Sequence, residues 1–391
     1  MPRAAGIVFA LAVAAAPVGA QEIQLRGYAL NVFLAAAEGP FTPSGIRDAQ
    51  RLRLMLGLRA GQVAFDLAYE HLLSVVSTPE LLALGVGAAA PAGSGDWLPF
   101  QGTLDDGDHH AWRHRMDRAA LSLETGFLDV TVGRQTVSWG TTLFLTPADP
   151  FAPFDPADPF REYRAGVDAI RLRTFPGPLS EIEGILRPAI YGSDTTLTAL
   201  VRGRAAIGRA ELTGWGGLVH DEAAASVAGT VALGGGVLRA EAVVRRDADE
   251  TVLRVAIGAD RSFSIANRTL YVVAEYQRDG FGAASGTALP ALFTSAPYQR
   301  GELQVLGRDE FALQTTYQLH PLVGLDALGL WNAGDGSVLL APAIGLDAGA
   351  HLALRAGLFL GLGPETSAAA IPASEYGAVP VTGYVAGSVF F

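Results

Sequence analysis

The chain is 391 residues long, with a hydrophobic fraction of 50 %, a formal net charge of −11, 47 glycines and no cysteine. Without cysteines no disulfide framework can hold it, so a folded chain of this size rests on its own core or on a membrane. The acidic balance argues against nucleic acid as a partner.

Met1 to Ala20 carries Arg3, an apolar run from Ile7 to Ala16 and the small residues Val18-Gly19-Ala20, the layout of a cleaved export signal. The apolar run is shorter than the ~20 residues that span a bilayer. Residues 1–20 therefore read as a signal peptide, and 21–391 as a single mature domain. No cysteine follows the cleavage point, which excludes a lipid-anchored lipoprotein.

No later apolar run is long enough for a membrane helix. The chain shows instead a succession of segments that alternate apolar and polar, the period of a pleated strand with two unlike faces. Leu52, Leu54, Leu56 and Leu58 alternate with Arg51, Arg53, Met55 and Gly57; Val63, Phe65, Leu67 and Tyr69 follow after a tight turn at Ala60-Gly61. The pattern returns at Arg118–Glu124, Leu238–Arg245, Leu253–Asp260, Phe311–His320 and Leu352–Leu360.

A soluble sandwich also alternates, but two features favour a barrel. The non-apolar face carries Arg, Glu and Asp strand after strand, which suits a wet lumen and would be costly in a dry core. The connections also sort by length. With about 18 strands (16–18), the long ones, 35–46, 74–114, 135–163, 279–308 and 361–379, all fall at one end. The turns near residues 60, 126, 235, 321 and 348 fall at the other. The expected fold is an all-β transmembrane antiparallel β-barrel with long extracellular loops and short periplasmic turns.

Within the second long loop, Asp105, Asp106, Asp108, His109, His110 and His114 gather residue types that bind divalent metals. They have no regular spacing and read first as a solvated loop. Ser77-Thr78-Pro79-Glu80 followed by LLAL and Gly85 reads as a short capped helix. Trp97, Trp112, Trp139, Trp215 and Trp331 fit interfacial girdles.

The segment Gly133 to Phe160, GRQTVSWGTTLFLTPADPFAPFDPADPF, leaves a strand and loses its period. Pro147, Pro150, Pro153, Pro156 and Pro159 forbid a central strand, while Phe144, Phe151, Phe154 and Phe160 argue against disorder. Such a loop either folds into the lumen as a constriction or caps the mouth, its Asp residues then being solvated or capping turns. In the first case Asp149, Asp155, Asp158 and Glu162 stand against Arg51, Arg53, Arg171 and Arg173 of the wall. Strict alternation puts Arg134 on the lipid side with Val130 and Val132, which requires either a headgroup position or a bulge.

The chain ends VTGYVAGSVFF, with Val385, Val389 and Phe391 on one face and Tyr384 nearby. This ending is similar to the terminal signal read by the outer-membrane barrel-assembly machinery. Together with GRQTVSWG, PADPFAPFDP and AGVDAIRLR, it makes the mature chain resemble bacterial outer-membrane barrels of the porin and export-channel type, including poorly characterised families with a GRQ-x-x-x-WG strand end. The family-level motif covers Gly133 to Arg173. The resemblance brings no established functional residues.

None of the seven histidines, His71, His109, His110, His114, His220, His320 and His351, sits in a Ser- or Asp-bearing hydrolytic motif, so no enzyme and no cofactor is expected. The expected function is passive passage of small polar solutes through the outer membrane. The expected partners are outer-membrane lipid and lipopolysaccharide, the assembly machinery, solutes and, in a homo-oligomer, further copies of the chain. The rival readings are a dedicated export or uptake channel for a polymer or hydrophobic substrate, and a non-conducting surface protein whose loops bind a partner.

Overall fold

The computed structural model describes residues 21–83, 95–151, 155–160, 162–247, 250–366 and 371–391. The expected signal peptide, Gly85, Pro153 and Phe154 lie outside the described residues. Strand β1 is Gln21–Ala36, β2 Gly45–Ala60, β3 Val63–Val76, β4 Gln101–Gly107, β5 His110–Glu124, β6 Leu128–Gln135, β7 Val167–Gly177, β8 Ser180–Tyr191, β9 Asp194–Ile207 and β10 Ala210–Val219. The series continues with β11 Glu222–Leu233, β12 Gly236–Asp247, β13 Glu250–Ile265, β14 Arg268–Asp279, β15 Asp309–His320, β16 Val323–Asn332, β17 Val338–Asp347, β18 Leu352–Leu362 and β19 Thr382–Phe390.

Each strand pairs antiparallel with the next, except that β3 skips β4 to pair with β5, and β19 returns to pair with β1. Eighteen strands thus form a closed ring. Closure matters because an edge strand would leave a row of unpaired donors and acceptors, which a hydrocarbon environment cannot satisfy. At the seam Tyr28 opposes Phe390 and Ala36 opposes Thr382, and the Phe391 backbone exchanges both hydrogen bonds with Gly27 at 2.8 and 3.0 Å.

The alternation read from sequence matches the two faces of the wall. Leu52, Leu54 and Leu58 are exposed on the outside, while Arg51 and Arg53 beside them are buried within. Val385, Val389 and Phe391 also face outward, with Tyr384 inside. The connections 37–44, 136–166, 280–308 and 363–381 lie at one end of the ring, together with short turns at 192–193, 220–221 and 333–337, while the described connections at the other end are all short.

Three expectations need correction. Asp105 to His114 is not an irregular loop: β4 and β5 form an antiparallel hairpin that stands on the extension of β5 beyond the end of β6. The expected capped helix is a single 3-10 turn, Pro79–Ala83, which buries Leu81. Trp139 and Trp215 do not belong to an outer girdle; both are buried inside the barrel, whereas Trp97, Trp112 and Trp331 are exposed.

Gly133 shows how tightly the wall is built where the lumenal loop departs. Its φ is +116°, and a Cβ there would sit 2.2 Å from the Ala119 carbonyl oxygen of β5. Both the backbone conformation and the contact exclude other residues. Gly133→Val should therefore cost on the order of 2 kcal/mol or more and lower the temperature at which the folded band is lost in heat-modifiability electrophoresis. Gly184→Ala, where a Cβ meets nothing within 4 Å, should leave that temperature unchanged. Equal behaviour of the two variants would show that the β5–β6 register is wrong.

Candidate functional site

The chain leaving β6 turns into the lumen. Val137 and Trp139 are buried there; the Trp139 indole donates to Glu183 on β8 at 3.1 Å and meets Phe151 edge-on at 4.9 Å between centroids. From 141 to 148 the loop has no ladder to join, so its N–H groups need other acceptors. Two wall carboxylates supply them. Glu241 of β12 accepts from Thr141, from Thr142 at 2.6 Å and from Ala148 at 2.9 Å. Glu275 of β14 accepts from Leu143 at 2.6 Å and from Phe144 and Leu145 at 2.9 Å. Gly258 makes room for this, since a Cβ there would lie 2.7 Å from the Glu275 side chain.

Arginines hold the loop's carbonyl groups in the same way. Arg51 of β2 donates to the Phe160 oxygen at 3.2 Å, Arg187 of β8 to Phe151 at 3.4 Å, and Arg254 of β13 to Pro147 at 3.5 Å. The Trp215 indole donates to the Ala148 oxygen at 3.0 Å. The loop thus crosses the lumen, fastened to opposite sides of the ring. Apolar contacts complete the seat: Leu145 and Phe160 pack with Tyr28, Leu30 and Tyr384, with Phe160 edge-on to Tyr384 at 4.8 Å.

The loop acids chosen from sequence have more local work than expected. Asp149, Asp155 and Asp158 each precede a proline and accept from the backbone N–H two residues on, at 3.2, 2.8 and 2.9 Å. The repeated Asp-Pro is therefore a series of side-chain-closed turns. Asp149 is fully buried and pairs with Arg164 at 2.6 Å; burial pushes its carboxyl up, and Arg164 opposes this. Desolvation beside the wall raises the Glu162 carboxyl, with Arg51 pulling it back.

Most of the wall arginines bind acids of neighbouring strands. Arg53 pairs with Glu70 and, at 2.7 Å, with Asp117, and lies 4.6 Å over the Tyr163 ring. Arg171 pairs with Glu183 and Arg173 with Asp129 at 3.5 Å. The loop and the wall therefore meet through backbone groups of the loop more than through its carboxylates. Sequence reasoning placed Glu241 on the lumenal face but could not single out Glu241, Glu275 or Gln304, which accepts from Thr146 N–H and donates to the Phe144 oxygen. Their partners lie 93 to 160 residues away, and no local pattern marks them.

Arg134 and Asp168 oppose one another across β6 and β7 in unbroken register, so no bulge between these strands displaces Arg134. They form a two-pronged ion pair at 2.8 Å, and the 95–100 segment covers it. Asp168 accepts from Trp97 and Leu98 N–H at 2.9 and 2.8 Å, while Arg134 donates to the Leu98 oxygen at 2.8 Å and reaches Asp96 at 3.2 Å. Among the metal candidates, His110 pairs with Asp105 at 3.0 Å, His109 contacts the Val76 oxygen at 3.2 Å, Asp108 is at the exposed hairpin turn, and His114 lies against Tyr69. Among the described residues no three His, Asp or Glu side chains converge as metal ligands.

Each carboxylate of the cradle makes three charge-assisted hydrogen bonds, typically ~1.5–3 kcal/mol each. The double variant Glu241→Ala/Glu275→Ala should free 141–148. Proteinase K should then nick this segment in a barrel that still runs as a folded band, while the wild type resists. A double variant as resistant as wild type would show that the two glutamates do not hold the loop.

No protein-family model matches the sequence, and no curated protein matches it either. Solved structures do share its fold. OpdK of Pseudomonas aeruginosa with vanillate is 12 % identical with a TM-score of 0.52. OccK2 (OpdF) of the same organism in complex with glucuronate is 14 % identical with a TM-score of 0.56, and a BenF-like porin from Pseudomonas fluorescens Pf-5 is 11 % identical with a TM-score of 0.53. In each case the match covers 95 % of this chain and 98 % of the other. At these identities the likeness is one of fold: this chain has the eighteen-strand barrel of outer-membrane porins.

Proposed function

We propose that this protein is an outer-membrane channel through which small polar solutes pass passively, with loop 136–166 setting its narrowest cross-section. The observation that carries this reading is the fastening of that loop across the lumen by Glu241, Glu275 and Arg51, which lie on three separate parts of the ring. A closed barrel with an apolar outer face and a charged inner one supports placement in a membrane. Vanillate and glucuronate, bound by two proteins of the same fold, are small organic acids and head the set of solutes to try. Phe391, Val389 and Val385, outward at the seam, fit an assembly signal. No catalytic step belongs to this reading.

Purified protein in planar bilayers should show discrete open-channel currents, and Glu241→Ala/Glu275→Ala should raise their conductance. Silence across voltages and salts would overturn the channel reading in favour of a surface protein whose loops bind a partner. In liposome swelling, vanillate, glucuronate, sugars and amino acids should differ in rate; exclusion of all of them would favour a dedicated channel for another substrate.

Neutralising Asp149, Asp155 and Asp158 together should raise the anion-to-cation permeability ratio severalfold, partly because Arg164 loses the carboxylate it faces. An unchanged ratio would place the selectivity elsewhere on the wall.

A further inference from the structure

Three connections of the long-loop end, 280–308, 333–337 and 363–381, meet at Glu375. Its carboxylate accepts from the backbone N–H of Leu306 at 2.6 Å and Gly307 at 2.8 Å, and from the Asn332 side chain at 2.9 Å. Its own N–H donates to Asp335 at 2.7 Å. The next residue, Tyr376, is buried and donates its hydroxyl to Glu310 of β15 at 2.6 Å. Gly307 lies between the two glutamates: a Cβ there would be 2.6 Å from both the Glu310 Oε2 and the Asn332 amide nitrogen.

Three acids from three elements, Glu310, Asp335 and Glu375, therefore adjoin one another, with Glu310 buried and the other two partly so. Asp335 has donors in Ser337, at 2.9 Å from its N–H and 2.6 Å from its hydroxyl. Glu310 is fully buried, and its Oε2 faces no donor. The neighbouring charges turn away, Arg308 towards the Gly282 oxygen at 3.4 Å and Asp309 towards Arg278 at 2.8 Å. Among the described residues no arginine or histidine forms an ion pair with any of the three acids. Buried acids without a counter-charge favour their protonated form.

We propose that this cluster is a proton-held latch: with a proton bound it clamps 303–307 to 374–377, and on losing it releases both segments and loosens the lumenal loop. The link to the lumen is Gln304, two residues before Leu306, which accepts from Thr146 N–H at 2.5 Å and donates to the Phe144 oxygen at 2.6 Å. The inference rests on the channel reading for its consequence and on the buried acids for its mechanism.

Its direction follows from linkage. Burial, reinforced by Asp335, pushes the Glu375 carboxyl up to about 7 from an ordinary 4.5, against the pull of its three N–H donors. An acid whose pKa is raised in the latched state disfavours that state when ionised. The latch is therefore strongest below about pH 4.5, weakens as pH rises to about 7 and stays weakened above it. The Tyr376 hydroxyl is pushed well above its usual range, first by burial and then by the two glutamates, so it remains a donor throughout.

The test is amide hydrogen exchange of the folded full-length protein at pH 5.5 and 8.5, corrected for intrinsic rates, together with bilayer currents at both values. Protection at Leu306 and Gly307 should fall at least about tenfold at the higher pH, and open-channel conductance should rise. Glu375→Gln, which cannot ionise, should keep both amides protected at pH 8.5. Equal protection of the wild type at the two pH values would overturn the latch, as would a Glu375→Gln protein that responds to pH like the wild type. Conductance independent of pH in an active channel would also overturn it. Absence of current together with pH-dependent protection would sink the channel reading and leave the latch standing.

Discussion

An unpaired backbone N–H in a dry or narrow space costs about as much as a lost hydrogen bond, and this constraint shapes both halves of the molecule. The strands meet it by closing the ring from β19 to β1. Loop 136–166 cannot, because its prolines break any ladder, so it borrows side chains from the wall. Glutamates of β12 and β14 take its N–H groups, and arginines of β2, β8 and β13 take its carbonyl groups. A lumen rich in both signs of charge is thus a requirement of housing an irregular chain.

The remaining wall charges are largely matched strand to strand. Near the short-turn end, Arg59 pairs with Glu124 at 2.7 Å, Arg204 with Glu181 at 3.0 Å, and Arg355 with Asp326 at 3.3 Å. These pairs are partly exposed, where water screens them and each contributes little to stability. Their effect is to even out the potential along the inner wall. The seat of the loop differs, because its charged groups are buried and act with less screening.

The strand period, the lumenal placement of Arg51 and Arg53 and the sorting of loops were legible because each depends on residues two apart or on the length of a connection. The seat of the loop was not, because Glu241 and Glu275 meet their partners about a hundred residues away in sequence. Asp149, Asp155 and Asp158 were legible as notable, with two roles open, because Asp-Pro repeats mark turns as readily as charged linings; each of the three does close a turn. Trp139 and Trp215 misled because an aromatic suits a lipid interface as well as a packed lumen. Arg134 and Asp168 broke the alternation rule because the distant 95–100 segment covers them, and parity carries no information about such a cover.

The separation between the loop and its glutamates also dictates an order of events during folding. The three Asp-Pro turns close over two residues and can form as soon as they are made, since local contacts cost little loop-closure entropy. Their seat does not exist until β12 and β14 have joined the wall, and the ring itself is sealed only when Phe391, the final residue, meets Gly27. The loop can therefore be seated only once β14 is in place, although its turns are able to close beforehand.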